Sequence, residues 1–187
     1  MPRAIFPFDA INAFQQGLHE HFDDQGKIKS KKDAEDIIDE ILDICLLAYA
    51  NGVDAINQQF EKSIKPSAEE LEKCIYHKID GKTWEQRVWD WYDEGGTESD
   101  ILRIVETEAH RVGNEAADTT AGKAGAKQKI WQTMMDDKVR DTHFYLQSIS
   151  VPVDGRFYTY DGDSARFPGD FALAENNCNC RCELQYK

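Results

Sequence analysis

Three closely spaced cysteines and one histidine form the group of side chains best suited to chemistry. The cysteines are Cys178, Cys180 and Cys182, and the histidine is His143. Thiolate sulfur and imidazole nitrogen are ligands that zinc prefers, usually four of them in a tetrahedron. One interpretation is therefore a zinc site formed by His143 with two of these three cysteines. The alternative is free thiols, because three sulfurs on one face of a strand would crowd a single ion.

A second set of side chains could perform acid–base chemistry. It consists of Glu108, Asp136, Arg140 and His143, which are residue types used by hydrolytic nucleases. If the protein is an enzyme, the expected activity is toxin-like cleavage of nucleic acid, centred on His143 and Arg140. The favoured interpretation is structural and needs no catalysis: Asp136 and Arg140 pair with Glu108 and tie a sheet to a helix.

The composition limits the possible classes of function. The chain has 187 residues, enough for one moderate domain or two small ones with a real core. Its formal net charge of −13 argues against a protein that coats nucleic acid, since such binding depends on clustered Lys and Arg. Any contact with DNA should therefore be local. The clustered lysines within 27–32 and 123–129 are more simply explained as two solvated segments that join helices.

No export signal or membrane span is evident in the sequence. It has no run of about 18 apolar residues, and no hydrophobic signal core follows Met1 to Ala4. Five cysteines, an odd number, do not suggest a secreted disulfide framework. We therefore expect a soluble protein made in the cytoplasm, with no membrane partner and no small-molecule substrate.

Hydrophobic spacing predicts helices over the first two thirds of the chain. Apolar residues three or four apart form a stripe in the first helix, and a wider stripe begins near Asp33 in the second. Gly52 is predicted to break or bend the second helix. Three helix starts carry Ser or Thr followed three residues later by an acid or an amide: Ser67 with Glu70, Thr83 with Gln86, and Thr97 with Asp100.

The predicted helices also carry single residues that call for an explanation. Trp84 and Val88 lie on a stripe that we assign to the core, whereas Trp89 lies off this stripe and is a candidate contact with a partner.

In the fifth helix, Glu108 falls on the buried stripe. A buried carboxylate needs a cation, hydrogen-bond donors or a wet cleft, unless the helix lies at an edge and Glu108 reaches solvent. Cys45 and Cys74 lie on apolar stripes and are predicted core residues.

The last third of the chain changes to short segments rich in β-branched and aromatic residues. Strands are predicted at 130–133, 149–151, 156–160 and 182–186, with turns at Asp154-Gly155 and Asp161-Gly162. Together the patterns predict an α+β protein, helical to about residue 127, with a small antiparallel sheet at its C-terminal end.

An ordered set of residues over roughly 97–187 resembles one known family, the Mu F-like head-morphogenesis, or minor capsid, proteins of tailed phages. Two departures from the family pattern are Glu106, where an arginine is frequent, and the additional thiol of Cys178. The residues that carry the resemblance are Thr107, Glu108, Trp131, Asp136, Val139, Arg140, His143, Gly155, Phe157, Pro168, Gly169, Asp170, Cys180, Arg181 and Cys182.

The resemblance implies both a domain division and a role. Residues 1–96 would form an acidic helical region and residues 97–187 the Mu F-like core. The role would be that of a low-copy minor head protein that associates with the portal and the capsid interior, without being an enzyme. It would help to assemble the head or to prepare DNA for delivery. Such a protein acts in the cytoplasm of the bacterial host during assembly and then remains in the virion head.

Overall fold

The protein is described by a computed structural model over residues 5–187. Residues 1–4, where a signal sequence was sought, lie outside the described part. The helices of the first two thirds are α1 (Phe8–Gly17), continued by a 3-10 turn (Leu18–His21), α2 (Lys31–Phe60), α3 (Ala68–Ile75), α4 (Trp84–Glu94) and α5 (Glu98–Ala124). The last third contains β1 (Gln128–Gln132), α6 (Asp141–Phe144), β2 (Ser150–Pro152), β3 (Phe157–Tyr158), β4 (Ser164–Ala165), α7 (Ala174–Asn177) and β5 (Glu183–Tyr186).

The observed order of elements confirms the predicted α+β class. Five helices precede a three-stranded antiparallel sheet of order β2-β1-β5, and β3 and β4 form a separate hairpin. Trp131 in β1 pairs with Leu184 in β5, and Ile130 pairs with Ser150 in β2. None of the helices over residues 5–187 is both long and apolar enough to cross a membrane.

The three predicted helix starts are all present. Glu70 accepts a hydrogen bond from the backbone N–H of Ser67 at 2.8 Å, and Gln86 accepts one from the N–H of Thr83 at 3.0 Å. The N–H of Thr97 donates to Asp100 in the same way at the start of α5. Each bond satisfies a backbone donor that a first helical turn leaves free, which is why these local patterns fix the helix starts.

Gly52 lies at the closest approach between α2 and α5. A Cβ atom at Gly52 would lie 2.3 Å from the carbonyl oxygen of Gly113 and 3.0 Å from the side chain of Ala116. The predicted break at Gly52 is wrong, because α2 runs without interruption from Lys31 to Phe60. The glycine is needed for the close contact between the two helices and not for an interruption of α2.

Two groups of buried residues form the core. The first fills the space between α1, α2, α3, α4 and the first half of α5, and it includes Cys45, Cys74, Trp84 and Val88. These four core assignments are confirmed. Trp89 is half-buried and packs against the same group, so only part of it is exposed, and its contact with a partner stays a prediction.

The second buried group lies between the sheet, the hairpin and the end of α5. Trp131, Phe157 and Leu146 are buried there. The helix α5 continues to Ala124, close to the predicted end of the helical part, and its residues Ala117 and Ala121 pack into this second group. One helix therefore contributes to both parts of the core.

The crossing at Gly52 predicts a large effect for a very small substitution. Gly52→Ala should destabilise the protein by about 1–3 kcal/mol, since the new methyl group has no space against the backbone of α5. Gly122→Ala is the matched control, because a Cβ atom at Gly122 in α5 would meet nothing within 4 Å. This control should be neutral or stabilising. Urea unfolding measures both changes, and an unchanged midpoint for Gly52→Ala would disprove the close contact.

Candidate functional site

A buried cluster of one imidazole and two thiols lies where α6 meets the segment before β5. The Nδ1 atom of His143 is 3.6 Å from the sulfur of Cys180 and 3.5 Å from the sulfur of Cys182. All three side chains are buried. Their potential ligand atoms lie within 4.8 Å of one another, and no other group in residues 5–187 brings three such atoms so close. We call this group the thiol cluster.

Cys178 is outside the thiol cluster. Residues 178–182 are not part of a strand, because β5 begins at Glu183 and Asn179 has a left-handed backbone with φ of 55°. The expected alternation of three cysteines along one strand face is therefore wrong. Cys178 is half-buried, and its carbonyl oxygen accepts a hydrogen bond from Arg140. The structure thus brings His143 together with two of the three cysteines, Cys180 and Cys182.

The electrostatics of the thiol cluster favour one negative charge. A hydrogen bond from the thiol of Cys182 holds the pKa of Cys180 well below its usual value, against the opposing effect of burial, and His143 adds to the lowering. The same interaction raises the pKa of Cys182. Nε2 of His143 and Nε1 of Trp131 are buried and have no hydrogen-bond partner among the described residues. A thiolate, a thiol and an imidazole at this spacing suit a soft cation such as zinc.

Glu108 lies in a second buried site, which holds four charged side chains. Its carboxylate has no exposed surface, pairs with Arg87, and accepts a hydrogen bond from Nε of Arg111 at 2.8 Å. Arg111 is also fully buried and donates to Glu115 at 2.7 Å and to the carbonyl oxygen of Cys74 at 2.9 Å. The expectation that a buried Glu108 meets a cation is confirmed. We call these four charged residues the ion network.

Both arginines determine the protonation of Glu108. Burial alone would raise the pKa of this carboxyl, but the charges of Arg111 and Arg87 outweigh burial and lower the pKa below its usual value. The carboxylate therefore stays charged, and its charge is matched inside the protein. Such an arrangement is stable only while all partners are present.

The Pro168-Gly169-Asp170 turn packs against Arg111 of the ion network. Gly169 has a φ of 100°, and a Cβ atom there would lie 2.8 Å from Cβ of Arg111. The turn therefore passes directly over the arginine, which explains the need for glycine. Asp170 holds the turn in place through a hydrogen bond of 2.7 Å from the backbone N–H of Arg166. This motif has a packing role in the structure.

The four residues of the acid–base hypothesis are held by different partners. Asp136 accepts two hydrogen bonds from Arg181, at 2.8 Å and 2.7 Å, on the surface. Arg140 donates to the carbonyl oxygen of Cys178, and His143 belongs to the thiol cluster. The predicted pairing of Glu108 with Asp136 and Arg140 is wrong, because Arg87 and Arg111 occupy its carboxylate.

Two important contacts were not predicted. His110 in α5 has its Nε2 atom 2.8 Å from the carbonyl oxygen of Cys182, which links the helix to the thiol cluster. Asp163 accepts hydrogen bonds from the backbone N–H groups of Ala172 and Leu173 and from the side chain of Asn176. The predicted turn at Asp161-Gly162 was a local signal next to Asp163. No local pattern indicated the contact of His110, because its partner, Cys182, is distant in sequence.

The sequence of this chain matches a known protein family. The chain belongs to the family described as Phage Mu protein F like protein, whose profile matches residues 53–185. The resemblance inferred from the sequence is thereby confirmed, and the match begins within α2, earlier than residue 97. The division of the chain at that residue stays a prediction. No solved structure matches the chain.

Two curated relatives are similar to parts of the chain. The Minor head protein GP7 of Bacillus phage SPP1 is 35% identical over 83 residues, which is 43% of this chain and 27% of the relative. The NAD(+)--arginine ADP-ribosyltransferase EFV of Enterococcus faecalis (strain ATCC 700802 / V583) is 34% identical over 138 residues, 67% of this chain and 28% of that protein. Each match therefore spans little more than a quarter of the relative.

The ion network predicts strong sensitivity to loss of one carboxylate. Glu108→Gln should cost about 3–5 kcal/mol of folding free energy, because Arg87 and Arg111 would lose their shared counter-charge inside the protein. Chemical denaturation measures the cost. The exposed pair of Lys32 and Asp36 supplies the control, and Asp36→Asn should leave the unfolding midpoint unchanged.

The same variant should change the response to acid. A carboxyl with a lowered folded pKa contributes stability above its unfolded pKa of about 4.3, and this contribution is lost as the pH falls through the folded pKa. Glu108→Gln removes that contribution, so its free energy of unfolding should fall less steeply below about pH 4.3 than that of the wild type. Parallel curves would show that folding does not lower the pKa of Glu108.

Proposed function

We propose that the protein is a minor head component of a tailed phage or prophage, bound to the portal at the capsid interior. The observation that carries this proposal is the use of the family motif in packing: Glu108, His143 and Gly169 are all buried. A rigid core of this kind suits an assembly role. The catalytic alternative has less support, because its four residues are held by separate partners.

Charge supports a protein partner over extensive contact with DNA. Residues 1–96 contain eleven Lys and Arg against twenty Asp and Glu. An acidic surface repels the phosphate backbone and attracts basic protein surfaces. The helical region would therefore face other head proteins, and contact with DNA would stay local. The protein would bind its partners in the host cytoplasm during assembly and remain in the finished head.

The copy number in phage particles tests this role. Quantitative mass spectrometry of purified particles from the source strain should detect the protein at a few copies per particle, far below the major capsid protein. Co-purification of tagged protein with the portal should accompany this result. If particles contain the other head proteins but not this one, its role as a component of the finished head is disproved.

We further propose that the thiol cluster binds zinc and so stabilises the C-terminal part. The support is the convergence of His143, Cys180 and Cys182, three soft ligand atoms in a buried position. Bound zinc would crosslink α6 to the segment before β5 and would take part in no catalytic step. Cysteines in a reducing cytoplasm stay available as thiolate ligands.

Metal analysis decides between zinc and free thiols. Protein purified without added chelator should contain about one zinc per chain, and a strong chelator should lower its Tm. His143→Ala and Cys180→Ser should each lose the metal. Cys178→Ser is the matched control and should retain it, because its sulfur lies outside the thiol cluster. Metal-free protein with a chelator-independent Tm would establish the free-thiol interpretation.

A further inference from the structure

The imidazole of the thiol cluster lies at the distance from both thiols that tetrahedral zinc requires. Zinc–sulfur bonds of about 2.3 Å and zinc–nitrogen bonds of about 2.0–2.1 Å place neighbouring nitrogen and sulfur ligands roughly 3.6 Å apart. Nδ1 of His143 is 3.5 Å from the sulfur of Cys182 and 3.6 Å from the sulfur of Cys180. The thiol cluster therefore provides three ligands with suitable spacing.

No fourth ligand accompanies these three in the part of the chain that the structure describes. The group of His, Cys, Asp and Glu ligand atoms at this place has three members over residues 5–187. Cys178 is not one of them, and Nε2 of His110 is already bonded to the carbonyl oxygen of Cys182. Because zinc takes four ligands, one coordination position is left for a ligand from elsewhere.

Two adjoining cavities lead to the thiol cluster. The smaller cavity, of about 10 Å3, is lined by all three side chains of the cluster. The larger cavity, of about 550 Å3, shares Cys180, Met134 and Asn179 with the smaller one. Met134 is 45% exposed, so the larger cavity opens to solvent. A ligand from solution can therefore approach the fourth position through the larger cavity.

The approach to the thiol cluster is lined by cations. Lys138, Arg140 and Arg181 line both cavities. Among the described residues, no Asp or Glu lines the smaller cavity, and Glu106 and Glu183 line only the larger one. Lys138 has no salt-bridge partner in the described part of the chain, whereas both arginines donate to acceptors within it. A wall of this kind favours a ligand that carries a negative charge.

We propose that zinc in the thiol cluster has an exchangeable fourth ligand, a small thiolate that enters through the larger cavity. This inference rests on the proposed zinc site. Zinc prefers sulfur ligands, and zinc with two cysteine thiolates is neutral, so a third thiolate adds one negative charge that the lining cations offset. The incoming thiol forms one sulfur–metal bond and releases its proton to solvent, so nothing is oxidised or reduced. Phe6 and Phe8 would contact its carbon chain.

Cobalt makes the fourth position visible. Co2+ can replace zinc at sites of this type, and its absorption of visible light depends on its ligands. Protein loaded with one Co2+ per chain should change its spectrum when 2-mercaptoethanol is added, with saturation at one thiol per metal. Ethane-1,2-diol, which has a hydroxyl in place of the thiol, should leave the spectrum unchanged. Ultrafiltration after the titration checks that cobalt stays on the protein.

Three variants test the approach and the vacancy. Lys138→Gln should weaken thiol binding about three- to fivefold, since it removes the cation that has no salt-bridge partner among the described residues. Lys73→Gln makes the same charge change at an exposed position of α3 and should keep the affinity. Met134→Leu should leave the thiol-free spectrum unchanged, because a thioether is not a usual zinc ligand.

Two different results would overturn the inference. If cobalt binds but its spectrum does not respond to the thiol, or if Met134→Leu alters the thiol-free spectrum, the fourth position is not open, although the zinc site itself remains. If neither zinc nor cobalt binds, the zinc site is wrong, and its exchangeable ligand with it. Metal content measured on the same samples distinguishes the two results.

Discussion

The rest of the structure depends on the burial of one guanidinium group. Arg111 has no exposed surface, and an unpaired charge in that position would cost several kcal/mol. Glu108, Glu115 and the carbonyl oxygen of Cys74 satisfy it. These partners lie on α3 and on two turns of α5, while Arg87 brings α4 to the same carboxylate. Three helices are thus positioned by the requirement to match a single charge.

The helix α5 transmits this constraint to the C-terminal part. Its first half carries the ion network, its end packs against Trp131 and its neighbours, and His110 between them bonds to the segment of the thiol cluster. Gln59 on α2 adds a second link through the carbonyl oxygen of Tyr186 at 2.8 Å. The helices and the sheet are therefore connected by directional bonds as well as by apolar packing, and those bonds restrict their relative positions.

Features set by neighbours in sequence could be predicted, and features set by distant contacts could not. The capping residues fixed three helix starts, and the apolar alternation located most strands. The burial of Glu108 could be predicted from its place on the apolar stripe of α5. Its partners could not be predicted, because they depend on how α4 packs on α5. The position of Cys178 depended on the left-handed backbone of Asn179, which an alternation pattern cannot reveal. Gly52 was misjudged because its neighbour, Gly113, lies on another helix.

The turn at Gly169 has a consequence for the order in which the chain can fold. Arg111 belongs to α5, but the turn that packs against its Cα, Cβ and Cγ atoms comes much later in the sequence. A folding intermediate that contains only the helices must therefore leave Arg111 hydrated at this face. The burial of Arg111 can be completed only after this turn has docked, so the full burial of a helical side chain requires a contact that is long-range in the sequence.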